Sequence, residues 1–172
     1  MLELPTKLLS LGTGQEATYN TLEHMARLIS NGAKSYEVRS VAVELVKHLP
    51  AKDQWAEVRS IFNFVKTYMR YTKDPHGVEM LHTPQAILKL IKEDSPAPGD
   101  CDDLSILFAS LVKSIGYPVR LKVISTHPTG RFTHVYPQVK VYDKWVSADL
   151  AALDRPLGWQ PTSISRQMIK EV

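Results

Sequence analysis

The sequence holds one cysteine, Cys101, set in Gly99-Asp-Cys-Asp-Asp, where a Pro- and Gly-containing stretch gives way to apolar residues at helical spacing. A cysteine nucleophile reacts as thiolate, and a free thiol with a pKa of about 8.5 is mostly protonated at neutral pH. Two devices can shift it: the amides and positive dipole end of a helix start, and an imidazole brought from another element. The Pro96-Ala-Pro-Gly-Asp approach fits the first, because Gly99 lets the backbone turn sharply before Cys101 enters a helix. The same amides could hold an oxyanion. For the second device, His134 is the best placed of the six histidines, since it opens a strand pattern just after an exposed loop. Parity then brings in an acid. If Tyr142 and Asp143 form a two-residue hairpin loop, residue 134 faces residue 151, and Asp149 is its diagonal neighbour on one sheet face, roughly 7 Å away. A turn shifted to Asp143-Lys144 would widen that gap by about 6.5 Å, so the arrangement depends on register.

The elements that must position these groups are legible as periodicities. Leu22, Met25, Ala26 and Ile29 predict a helix stopped by Asn31-Gly32, following an irregular start. Val38, Val41, Ala42, Leu45 and Leu49 predict a second, ended by Pro50, and Val58, Ile61, Phe62, Val65 and Met69 a third behind an Asp53 N-cap. Thr72 to His82 reads as a loop, Thr83-Pro84 starts a short helix, and Ser95 to Gly99 breaks the chain. Leu104, Leu107, Phe108, Leu111 and Ile115 place a helix from Cys101 to a Gly116 stop. Beyond Pro118 the period falls to two. Val119, Leu121 and Val123 alternate with Arg120 and Lys122, Val135, Val139 and Val141 share a face of a second strand, and Trp145 to Leu150 make a third. The tail from Ala151 to Val172 reads as irregular until a last turn near Gln167. Helices followed by an antiparallel meander define an α+β domain, with the Cys101 helix packed on one sheet face.

The length of 172 residues suits one domain, with 1–50 as a helical extension, about 55–150 as the core and 151–172 as the tail. A net charge of +3, scattered along helices, argues against a nucleic-acid partner. No apolar stretch approaches a membrane span, and Met1 to Pro5 lacks the features of a secretory signal, so a cytoplasmic location is expected. A single cysteine excludes an internal disulfide.

The stretch from Gly99-Asp-Cys-Asp-Asp-Leu through Gly116-Tyr-Pro-Val-Arg, followed by Thr133-His-Val-Tyr and Val146-Ser-Ala-Asp149, resembles the core of the transglutaminase-like superfamily. That family carries a Cys at a helix start, a His at a strand start and an Asp closing the next strand, in that order. The resemblance implies a papain-like core, with Cys101 as nucleophile, His134 as base and acid, and Asp149 as the group that orients the ring. It covers about residues 55 to 150. The helices through Arg70-Tyr71 and Asp74-Pro75-His76-Gly77 also resemble small versions encoded by bacteriophages and prophages. Two departures concern substrate: Val135-Tyr136 stands where many relatives have a small residue and then Trp, and Ala148-Asp149-Leu150 where many have Val-Asp-Pro. Tyr71 and Gln85 are candidates for a second oxyanion donor by rough position.

Each residue also has a plainer reading. Cys101 could be an inert core thiol, His134 a half-buried strand histidine, and Asp149 a strand end. Asp100, Asp102 and Asp103 are ordinary first-turn acids, whose charge would oppose thiolate formation. Zinc held by Cys101, His134, Asp149 and His127 is disfavoured, because no Cys-x-x-Cys or His-x-x-x-His pair exists. No metal or other cofactor is therefore expected. Trp55, Trp145 and Trp159 are assigned to packing, and His24, His48, His76, His82 and His127 receive no role. The expected activity is acyl transfer at amide bonds of a protein or peptide, by hydrolysis more than by amine transfer, without a membrane partner. The alternative is a weakly catalytic binding or assembly module, for example one related to a phage, that keeps the same scaffold.

Overall fold

A computed structural model describes residues 6–9, 14–74 and 79–172. The opening Met1 to Pro5 and the residues Pro75, His76 and Gly77 of the sequence reading lie outside the described residues. Three helices form where apolar spacing placed them, except that the second stops at Val46, short of Leu49, and Met69 lies past the end of the third. They are α1 (Gln15–Gly32), α2 (Tyr36–Val46) and α3 (Gln54–Tyr68), the last capped by Asp53, whose side chain accepts from the Ala56 amide at 3.0 Å. Their apolar stripes, including Met25, Ile29, Val38, Ile61 and Val65, are buried against one central helix.

That helix is α5 (Cys101–Ser114), and 12 of its 14 residues are buried. The sequence shows a single stripe, but α1, α2, α3, α4 and the sheet all pack around the helix, so its small residues Ser105, Ala109 and Ser110 are enclosed too. α4 (Pro84–Glu93) is the short helix opened by Thr83, whose hydroxyl accepts from the Ala86 amide. Gly116 follows α5 with φ of +103°, and the Tyr117 amide reaches back to the Val112 carbonyl, as the stop signal required.

Several segments are more ordered than their composition indicates. The irregular start contains β1 (Thr6–Leu9), which pairs antiparallel with β3 (Glu79–His82), so the Thr72 to His82 stretch is not loop throughout. β2 (Met69–Tyr71) and β4 (Ala97–Gly99) form a short parallel pair with Tyr71 opposite Gly99. Three- and four-residue strands show too few alternations to register as a period.

The main sheet has the order β7-β6-β5-β8, all antiparallel: β5 (Val119–Ser125), β6 (His134–Val141), β7 (Lys144–Ser147) and β8 (Arg166–Glu171). The third strand ends at Ser147, not Leu150, which leaves Asp149 just past its end. The tail differs as well: in place of a last turn near Gln167, β8 runs along the free edge of β5, with Met168 paired to Val123. As an exposed edge strand it buries little, so its sequence lacks apolar alternation. Residues between Asp149 and β8 cover the sheet face turned away from α5. There Gln160 Oε1 accepts from Lys122 Nζ at 3.2 Å and from Ser147 Oγ at 3.3 Å, so Lys122 is buried and not on a solvent face. Architecture and topology are those of a mixed α/β fold with five helices and an antiparallel four-stranded sheet among the described residues.

Candidate active site

Asp100 caps α5: its Oδ1 accepts from the amides of Asp102 at 2.9 Å and Asp103 at 3.3 Å. Those amides are therefore occupied by a carboxylate, and the amide of Cys101 itself is the helix-start donor left to consider for an oxyanion. Gly99 is needed for close approach more than for a sharp turn. A Cβ there would lie 2.6 Å from Met69 Cε and 3.0 Å from Asp103 Cβ, with no left-handed φ to require glycine. The Cys101 side chain is half-buried, and its thiol donates to Asp102 Oδ1 at 3.6 Å. Burial, then the charges of Asp102 and Asp100, push the thiol well above its ordinary pKa, opposed by a hydrogen bond from the Val135 backbone. The first-turn acids do oppose the thiolate, as their sequence position implied.

The contact with Val135 puts the sulfur beside the first residues of β6, where His134 stands. The hairpin after β6 has Tyr142 and Asp143 as its two loop residues, with φ of 45° and 64°, and Val141 pairs with Lys144. This is the twist-matched two-residue turn, so the register is the one that favours a His134–Asp149 meeting. His134 Nε2 lies 3.0 Å from Asp149 Oδ1 and 2.9 Å from Oδ2, and Asp149 is 3% exposed. A carboxylate held this way fixes Nε2 as the protonated nitrogen and leaves Nδ1 as the basic one. Tyr136, on the same face two residues along, packs beside the imidazole with ring centres 5.7 Å apart.

His82, given no role from the sequence, makes a second histidine–carboxylate pair. Its Nδ1 lies 3.1 Å from both oxygens of Asp103, and its backbone amide donates to Oδ1 at 3.2 Å. The two residues are 21 apart, and the strand that brings them together is too short to read. The pair ties β3 to the first turn of α5. Hydrogen bonding to Asp103 raises the His82 pKa, against the opposing effect of burial. Tyr71 is aligned with Gly99, and burial, then the charges of Cys101 and Asp100, hold its phenol above the ordinary value. Gln85 lies in the first turn of α4. Among the described residues, no group of three or more His, Cys, Asp or Glu is placed to hold a metal ion, and no helix is long and apolar enough to cross a membrane.

The family profile described as the Transglutaminase-like superfamily matches residues 39–150, a span from α2 through Leu150. The chain belongs to the transglutaminase-like superfamily. Two solved structures, the first two of the three that follow, share the fold of this superfamily member. A protein from Parabacteroides distasonis, provisionally described as a protease, aligns with a TM-score of 0.56 at 16% identity over 79% of this chain and 27% of its own. One from Cytophaga hutchinsonii, provisionally described as a cysteine protease, aligns at 0.54 and 12% identity over 86% of this chain and 55% of its own. LapG of Legionella pneumophila aligns at 0.49 and 15% identity, covering 83% and 78%. The chain thus spans about a quarter and about half of the first two proteins. Among curated protein sequences, none is a significant match.

Proposed function

We propose that this superfamily member is a cysteine-dependent enzyme that cleaves amide bonds of a protein or peptide through Cys101, His134 and Asp149, acting as a hydrolase. The observation that carries the reading is the bifurcated contact of Asp149 with His134 Nε2, which leaves Nδ1 as the basic nitrogen on the strand end that the Cys101 sulfur contacts. Burial and two acids disfavour a lone thiolate, so the reactive form is the ion pair made when the Cys101 proton passes to His134, and that pair is what labelling at low pH detects. Sγ then attacks the substrate carbonyl carbon, and the Cys101 amide donates to the developing oxyanion. Collapse breaks the C–N bond, with the imidazolium proton going to the leaving nitrogen, and a thioester remains. Water, deprotonated by His134, attacks that thioester and releases the acid and the thiol. Names given to the structural relatives support a peptidase, and a deamidase would use the same acylation step.

Iodoacetamide labelling of Cys101, located by mass spectrometry, tests the reading without a known substrate. Labelling at pH 6 is expected to exceed that of an ordinary thiol and to fall about tenfold or more in His134→Ala. Cys101→Ser should abolish turnover of any substrate found. A thiol that titrates like free cysteine and ignores His134 would overturn the proposal and favour a binding or assembly module on the same scaffold.

A further inference from the structure

Asp149 lies beyond the last ladder pair of its strand, with the Ala148 amide before it donating to the Pro137 carbonyl at 2.9 Å and the buried Leu150 after it. The chain directly after it, Ala151 to Arg155, has no sheet partner among the described residues. The loop closes on itself through the Arg155 amide and the Ala152 carbonyl, at 3.1 Å, and one side chain from another element gathers it. Lys66, from the last turn of α3, directs its ammonium at three carbonyls of that loop: Ala152 at 2.9 Å, Leu153 at 2.6 Å and Arg155 at 2.9 Å. An ammonium has three N–H donors, and here each finds a backbone oxygen, which fixes the loop in space as a single neutral donor could not. The Lys66 ammonium also lies over the ring of Phe62, 5.3 Å from its centre, and Phe62 is part of the buried core around α5. Burial draws the Lys66 pKa down, and the nearby carboxylates of Asp154 and Asp149 draw it back up, so the cation lies within the field of Asp149 as well as on the loop that follows it.

We infer that Lys66 is a positioning residue for the proposed reaction: its ammonium, seated on the Ala152, Leu153 and Arg155 carbonyls, fixes the Asp149 carboxylate against His134 Nε2. This rests on the reading of Cys101, His134 and Asp149 given above. The cation touches neither sulfur nor imidazole in this arrangement. Its effect passes through the peptide segment that carries Asp149, and so through the orientation of His134.

The test uses the full chain and follows Cys101 alkylation by iodoacetamide from pH 5 to 9, together with thermal unfolding. Lys66→Met is expected to slow alkylation at pH 6 about fivefold or more, approaching the rate of Asp149→Asn. The double variant should be no slower than Asp149→Asn alone, since both changes act through one orientation. Ser60→Ala is the control. It removes a hydrogen bond from α3 to the Leu45 carbonyl and should lower the melting temperature while leaving the alkylation profile unchanged. Where Lys66→Met does not fold, Lys66→Gln is read by the same measurements with the same expectations. Alkylation within twofold of wild type in the folded Lys66 variant would overturn the inference, as would effects of Lys66 and Asp149 that simply multiply. If wild-type alkylation proves independent of both His134 and Asp149, it is the proposed function that fails, which is a different result from a Lys66 variant that leaves a His134-dependent profile intact.

Discussion

Asp100 accepts two amides at the start of α5, while burial and the charges of Asp103 and Asp74 push its carboxyl up to about 7. An acid whose folded pKa exceeds its unfolded value of about 3.9 retains a proton that the unfolded chain has lost, so it costs stability as pH rises from about 4 to about 7 and no more thereafter. Asparagine is an equally good cap and carries no charge. Asp100→Asn should therefore match wild type in melting temperature near pH 4, gain on it steadily up to pH 7, and hold a constant lead above that. His82 adds to the same slope. Its raised pKa gives a contribution complete below about 6.5 that disappears as pH climbs through the folded value. At this scale the sequence was most legible for Cys101, His134 and Asp149, because residue type, helix start and strand parity all bear on them. His82 and Lys66 were not legible. Their partners are carboxylates and carbonyls 21 and more than 80 positions away, and nothing local marks a lysine or histidine as the member of such a pair.

Among the elements, the hairpin of β6 and β7 has most to do with the site, because its turn sets which residues lie near His134. Tyr142 and Asp143 both adopt left-handed backbone, a conformation that costs a non-glycine residue about 1 kcal/mol or more. Asp143 is exposed, and its ion pair with Lys140 is a surface contact of small worth. Asp143→Gly should thus raise stability by about 0.5–1 kcal/mol in denaturant titrations, with no change in Cys101 reactivity because the register is kept. The helices and the first two strands of the meander were readable from spacing, since each buries a regular stripe of apolar side chains. β1 to β4 and β8 were not, being three to six residues long and paired through backbone more than through apolar contact. The tail between Asp149 and β8 looks irregular in sequence and is irregular in space, but it covers the second sheet face through single polar groups such as Gln160.

For the whole molecule, α5 is the shared wall. Helices cover it on one side and the sheet on the other, and Ile106, Leu107, Phe108, Ala109, Leu111 and Val112 are fully enclosed. Amides in such a segment are released only when the entire domain opens. Hydrogen exchange should show Leu107 to Leu111 as the last to exchange, at a rate matching the global unfolding free energy, while Ala151 to Arg155 and the residues of β8 exchange earlier. Slow exchange in the tail together with fast exchange in α5 would contradict this packing.

That enclosure restricts how a substrate could ever enter. A rod gripped around most of its circumference can neither roll nor slide without opening the interior, so the backbone that carries the sulfur is a fixed landmark. On the proposed reading, movement that admits a substrate falls to the opposite bank, where β5 ends and β6 begins.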